Sequence, residues 1–279
     1  MNNILSKVFC SAFILIITTS SLKANTADTA ILLANNRVEA TPVLTKTVLV
    51  KAANVDYPAS LQNHKDESLE YVESFISKKR EYLIRTYQKG KKFFPKIAIV
   101  LKKYHLPQEL KVLIALESAF NANAMSGAGA VGYWQFMDDA AKEYGLKIVG
   151  AKDTAAQRLK LKDDRKNFAK STLAAARYLN DRRKNLDNNL LLMVASYNWG
   201  VGNIWNAMRK SGKSNPSFWD IKKYLPAETR SYVMNFIALN VVFQNYENFL
   251  KNKLNFKTEA IEVPVLAENP ARLNTTITE

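Results

Sequence analysis

Thiol and imidazole groups are almost missing from this chain. Among 279 residues there are one cysteine, Cys10, and two histidines, His64 and His105. One cysteine cannot close an intrachain disulfide, so an oxidising compartment places no demand on the fold. Two histidines cannot build a histidine-based metal site, so no metal and no cofactor is expected. Acid is also scarce: 25 Asp and Glu face 40 Lys and Arg, for a net charge of +15. A surplus of that sign favours an anionic polymer or surface as partner. Period-two alternation of apolar and polar residues is nearly absent, which argues against an all-β fold. Only nine glycines occur, and Gly127, Gly129, Gly132 and Gly145 are crowded into one short stretch.

The one long apolar run lies at the N-terminus. Residues 1–24 place Lys7 before the core VFCSAFILII, which is too short to span a bilayer comfortably. The pattern is that of an export signal cleaved after Ala24. Lys7 and Lys23 are the only charged residues in it, so its removal lowers the net charge by two, to +13. The mature chain would then hold no cysteine. Export makes nucleic acid an improbable partner and directs the basic charge toward the cell envelope.

Residues 25–64, rich in Ala, Thr, Val and Asn, read as an extended linker, and helical periodicity occupies 65–250. Separate helices are predicted over 67–88 and 94–104, the second with Pro95 in its first turn. Short helices are expected behind Asp138 or Asp139, and behind Asp163 or Asp164, with those carboxylates as caps. An apolar helix over 188–197 turns at Gly200 and Gly202, and a long helix follows Pro226 to about Leu250. Residues 251–279 read as an irregular polar tail. The fold class is therefore all-α, with one domain of ordinary size.

Within that domain Glu117 stands out. Pro107 suits a first helical position, and Leu110, Leu113, Ile114 and Glu117 then follow at i, i+3, i+4 and i+7. The carboxylate thus shares the buried face. Its helical neighbours are Leu113, Ile114, Phe120 and Asn121, so no cation pairs with it locally. Burial without a counter-charge raises a carboxyl pKa and fits it for general acid catalysis. Set against that, a glutamate near a helix end is commonly solvated or paired with a distant cation. What tips the balance is the sequence around it.

Four separated motifs resemble the goose-lysozyme-like (SLT) lytic transglycosylase family, most closely its membrane-bound D branch. Glu117-Ser118-Ala119-Phe120 resembles E-S-x-F. The stretch 126–135, SGAGAVGYWQ, resembles S-x-x-G-A-x-G-φ-φ-Q. The stretch 195–200, ASYNWG, is similar to A-A/S-Y-N-x-G, and Leu225-Pro226 with Glu228-Thr229-Arg230, Tyr232 and Val233 resembles L-P-x-E-T-R-x-Y-V. The resemblance covers about 106–249. Departures are Tyr133-Trp134 for Leu-Met, Asp138-Asp139 for Pro-Ser, and Asn167-Phe168 at an Asp-Pro step. The 29 residues after Leu250 are short and irregular for the LysM modules that such enzymes often carry.

The resemblance implies a lysozyme-like all-α fold and cleavage of the β-1,4 MurNAc–GlcNAc bond of peptidoglycan. Glu117 would be the sole acid/base, closing a 1,6-anhydro ring without water. Substrate binding falls to Ser118, Phe120, Ser126, Gly132, Tyr133, Trp134, Gln135, Tyr197, Asn198 and Tyr232. Ser126 and Gln135 would hold N-acetyl or peptide-proximal groups. Tyr197, Asn198 and Tyr232 would orient Glu117 or the sugar, and Phe120, Tyr133 and Trp134 would offer apolar faces. An exported monomer of the periplasm or envelope is expected, peripherally associated with the membrane. Rival readings are a hydrolytic muramidase, using Asp138 or Asp139 to position water, and a non-catalytic wall-binding protein.

Overall fold

In the computed structural model the described residues are 44–149 and 162–265, and the N-terminal segment 1–24 lies outside them. They divide into a helical unit, Val55–Leu254, and a second unit built from chain on either side of it. In the second unit β1 (Leu44–Lys51) pairs antiparallel with β2 (Glu259–Val265), with Leu44 opposite Val265 and Val48 opposite Ile261. Asn255 donates its backbone N–H to Asn54 Oδ1 at 2.8 Å, beside the strand ends. The regions read as linker and irregular tail therefore each contain a strand. Each strand completes its ladder only with a partner some two hundred residues away, so neither carries a strong local signal.

The helical unit among the described residues is all-α, as expected from the sequence. It comprises α1 (Lys65–Lys78), α2 (Arg80–Lys103), α3 (Leu113–Ser118), α4 (Asp138–Glu143), α5 (Phe168–Asn185), α6 (Leu190–Trp199), α7 (Val201–Ser211), α8 (Phe218–Ile221), α9 (Ala227–Gln244) and α10 (Tyr246–Leu250). It starts before residue 65, because Val55, Tyr57 and Leu61 are already buried. Asn245 fixes that entry: it accepts from Asp56 N–H at 3.0 Å and donates to Asp56 O at 2.6 Å.

The predicted interruption between 88 and 94 does not occur, and α2 runs through Pro95. The chain breaks instead at Lys79, between α1 and α2. A continuous buried stripe, Leu83, Thr86, Gly90, Phe94, Ile97 and Leu101, holds α2 together across the proline. Gly90 sits under the Phe94 ring, where a Cβ would lie 2.1 Å from a ring carbon. Burial of such side chains contributes about 1.5–3 kcal/mol each, enough to offset the hydrogen bond that Pro95 cannot make.

Two helices form the centre. Every residue of α6 from Leu190 to Asn198 is buried, and α9 buries Val233, Met234 and the run from Phe236 to Val242. Helices hydrophobic on all sides belong inside a core. The central α9 packs on α1, α6 and α3, while α6 also meets α5 and α7. Glu117 therefore enters the site from α3, and its hydrogen-bond partner Tyr232 comes from the buried helix α9.

Candidate active site

The approach to Glu117 is tighter than periodicity predicts. Pro107 is the N-cap of a 3-10 turn, Gln108–Val112, and α3 contributes only six residues after it. The stripe survives this change: Leu110, Leu113 and Ile114 are fully buried, and Glu117 is 3% exposed. Ala119 and Phe120 then adopt left-handed φ values of 48° and 64°. Two consecutive non-glycine residues in that region cost about 1–2 kcal/mol each, strain of a kind concentrated at functional sites. Neither residue type announces the turn in the sequence.

Tyr232 on α9 donates its hydroxyl to Glu117 Oε1. Burial pushes the Glu117 carboxyl up to about 8, far above its ordinary 4.5. The Tyr232 hydrogen bond pulls it down in part, and the charge of Glu228 pushes it further up. Glu228 is exposed, one helical turn before Tyr232. Its influence was not assigned from the sequence, although the i, i+4 spacing to Tyr232 was a usable signal. Two further buried tyrosines lie within the field of Glu117. Tyr178 is raised to about 12 and Tyr197 is raised well above 10, both chiefly by burial. Their rings meet edge to face at 5.3 Å.

Most of the predicted binding residues build the loop after Glu117. Ser118 donates to Tyr133 O at 2.8 Å and to Ile114 O at 3.2 Å, tying the loop to the residue beside the acid. Ser126 Oγ accepts from Ala130 N–H at 3.0 Å, closing the glycine-bearing turn. Gln135, at φ 51°, donates through Nε2 to Ala124 O and Gly132 O. Tyr197 donates to Trp134 O at 2.9 Å. Trp134 is 1% exposed and its indole N–H goes to Thr172 Oγ1, so it belongs to the core and offers no face to a sugar. Gly132 has φ 84°, and a Cβ there would meet Arg165 O at 2.1 Å.

Asn198 accepts from Thr229 Oγ1 at 2.8 Å, and Arg230 donates to Leu225 O at 2.6 Å. The first bond joins the third motif to the fourth, α6 to the start of α9, and the second closes the turn that opens α9, the helix carrying Tyr232. On the other flank Phe120 stacks on Phe93 at 5.1 Å. Tyr133 meets Phe93 at 5.8 Å and Phe168 edge-on at 5.5 Å. Phe93, Tyr133 and Phe168 are each half-buried. Phe93 and Phe168 escaped the sequence reading, yet Tyr133 and Phe168 are two of the noted departures from the family pattern, and they touch.

Of the carboxylates Asp138, Asp139, Asp163 and Asp164, three are held in ion pairs. Asp138 pairs with Arg165 at 2.5 Å, Asp163 with the same guanidinium at 2.7 Å, and Asp164 with Lys170 at 2.7 Å. Asp163 also caps the turn Asp164–Lys166, whereas Asn167 caps α5 and Met137 stands at the N-cap of α4. Asp139 is exposed. Among the described residues no three His, Cys, Asp or Glu side chains form a cluster able to hold a metal ion. A cavity of about 240 Å³ between α2 and α9, lined by Tyr87, Phe94, Lys111, Asn240 and Phe243 among others, does not include Glu117.

Residues 96–219 match the family model of the Transglycosylase SLT domain. The chain is 35% identical over 156 residues to membrane-bound lytic murein transglycosylase D of Escherichia coli K12, covering 55% of this chain and 32% of that one. It is 29% identical over 127 residues to a putative tributyltin chloride resistance protein of Alteromonas sp. strain M-1, covering 45% and 56%. The match thus spans about a third of the transglycosylase D chain. Among solved structures, the lytic transglycosylase Slt of Pseudomonas aeruginosa aligns with a TM-score of 0.40 at 22% identity, over 61% of this chain and 26% of that one. The 70 kDa soluble lytic transglycosylase of Escherichia coli aligns with a TM-score of 0.42 at 18% identity, over 71% and 38%. By these matches residues 96–219 are similar to the Transglycosylase SLT domain, with three of the four motifs inside them and the fourth just beyond.

Proposed function

We propose that the protein is a peptidoglycan lytic transglycosylase with Glu117 as its single acid/base. The observation that carries this is one buried carboxyl held up to about 8 and oriented by a tyrosine hydroxyl. At neutral pH such a group keeps its proton and can deliver it to the glycosidic oxygen between MurNAc and GlcNAc. The GlcNAc 4-hydroxyl leaves with that proton, while the 2-acetamido group of MurNAc supports the positive charge developing at C1. Glu117, now a carboxylate hydrogen-bonded by Tyr232, takes the proton from the C6 hydroxyl as its oxygen bonds to C1. The acid is regenerated and a 1,6-anhydro end is formed. Atoms balance without water.

The half-buried wall of Phe93, Tyr133 and Phe168 would face the sugar with apolar surface. Ser118, Gly132, Gln135 and Tyr197 act one step back, by holding the loop, and Asn198 holds Tyr232's helix. Ser126 stands at the rim. Paired-carboxylate hydrolysis needs a second acid to activate water. Asp138 is held by Arg165, which weakens that rival. Glu228 is the acid whose charge reaches Glu117, so it is the group to test for the hydrolytic alternative. An exported, monomeric protein of the periplasm or envelope, with peripheral membrane association, is the setting we propose. Among the described residues no helix is long and apolar enough to cross a membrane.

Digestion of purified peptidoglycan by the wild type, Glu117→Gln and Glu228→Gln, followed by mass analysis of released muropeptides, tests the proposal. Products one water lighter than reducing muropeptides, lost in Glu117→Gln, are expected. Reducing-end products that disappear in Glu228→Gln would establish a hydrolase instead.

A further inference from the structure

The solvent face of α2 carries a row of cations that the proposed chemistry does not use. Arg85, Lys89, Lys92, Lys96 and Lys103 are all exposed, and Ile99 lies among them at 72% exposure. Their spacings of three, four and seven residues put all six side chains in one narrow sector of the helix. That sector lies opposite the buried stripe from Leu83 to Leu101. From Arg85 to Lys103 the row is about 27 Å long. None of the five cations takes part in an ion pair among the described residues. The only acid on α2 is Glu81, one turn before the row begins.

Isolated exposed lysines need no explanation, and most simply keep a helix solvated. This row differs in three respects: it has one sign, it is straight, and it surrounds an exposed isoleucine. Ile99 is one of only three large apolar side chains exposed among the described residues. Ammonium groups on flexible stems discriminate poorly among sugars, and the row contains no aromatic ring or amide to read hydroxyls. A plane of phosphate headgroups asks less. It needs spaced positive charge and an apolar side chain that can dip between headgroups.

We propose that the Arg85–Lys103 face of α2 docks on an anionic lipid leaflet, with Ile99 entering the headgroup layer. The proposal rests on the envelope setting given above and is independent of the lytic chemistry. Phe93 lies beside the row on the same helix, so docking would bring the leaflet alongside the aromatic wall near Glu117.

The test is vesicle co-sedimentation of the full chain, using phosphatidylglycerol/phosphatidylcholine vesicles and pure phosphatidylcholine vesicles at low and high salt. Any charge-independent anchoring by the N-terminal segment contributes to both vesicle types, so the difference between them reports the face. Each cation near an anionic surface contributes about fivefold in partition, equivalent to about 1 kcal/mol. Replacing Lys89, Lys92 and Lys96 together by Gln should lower partition to anionic vesicles on the order of a hundredfold and leave pure phosphatidylcholine binding unchanged. Ile99→Gln should lower it by a smaller factor that salt does not remove. A control triple replacement of Lys166, Lys184 and Lys210 by Gln removes the same charge elsewhere and should retain most binding. Equal loss in both triple variants, or no loss in the α2 variant, overturns the proposal. So does loss of peptidoglycan co-sedimentation with vesicle binding intact, which would assign the face to the polymer. Peptidoglycan digestion, assayed in parallel, reports separately on the lytic function.

Discussion

Replacing Glu117 by Gln should stabilise the protein at alkaline pH while removing its activity. The carboxyl has an ordinary value of 4.5 and is raised to about 8 in the fold. A folded-state value above the unfolded one means that the native protein binds its proton more tightly. The resulting stabilisation is full below about pH 4.5, declines as pH rises, and is gone above about 8. Between those limits the slope is about 1.36 kcal/mol per pH unit. From pH 5.5 to 8.0 the wild type should therefore lose about 3 kcal/mol through this one group. Gln has the same shape and no ionisation, so it should not show that loss. Because Glu117 is 3% exposed, solvent does little to screen the effect.

Thermal and urea unfolding of both proteins, followed by tryptophan fluorescence across that pH range, reads the difference directly. The two should be close in stability at pH 5.5. By pH 8.0 the variant's Tm should stand higher by about 6–12 °C, at 2–4 °C per kcal/mol for a domain of this size. Every other titrating group is common to both proteins and cancels. Parallel pH dependences would refute the reasoning, because they would mean that Glu117 ionises in the native state as easily as in the unfolded chain.

Three further outcomes follow from the same geometry. Tyr232→Phe removes the hydrogen bond that favours the Glu117 carboxylate, so the alkaline limb of kcat/KM on peptidoglycan should move up by about one pH unit as kcat falls; an unmoved limb would contradict the pairing. Gly132→Ala places a Cβ 2.1 Å from Arg165 O at a φ of 84° and should destabilise by about 3 kcal/mol or more, whereas an unchanged urea midpoint would show that the loop yields freely. Arg165→Met leaves Asp163 largely buried without its cation and should cost about 3–5 kcal/mol. Arg165 donates to Asp163 through both Nε (3.0 Å) and Nη2 (2.7 Å), so Arg165→Lys should recover little of that loss, because an ammonium lacks the two-pronged geometry; full recovery in chemical denaturation would count against a role for that double contact.

Sequence and structure divide the protein along a clear physical line. Helical periodicity is local, so the all-α unit, the apolar stripe leading to Glu117 and the burial of α6 and α9 were legible without coordinates. The motifs also identified Tyr232 and Asn198, although not what each touches. The run of α2 through Pro95 was not legible. Local rules favour a break there, and only tertiary burial of Phe94, Ile97 and Leu101 overrides them. Nor was the pairing of β1 with β2, since each strand's partner lies at the other end of the chain. Trp134 and Gln135 looked like ligand-facing residues, and the fold instead spends their N–H groups on Thr172 and on loop carbonyls. What the sequence alone determined was which carboxyl lies on an apolar helical face, because that is a local pattern. Its proton affinity, its tyrosine partner and the aromatic wall beside it were decided by tertiary structure, because burial and contact between distant residues exist only once the chain is folded.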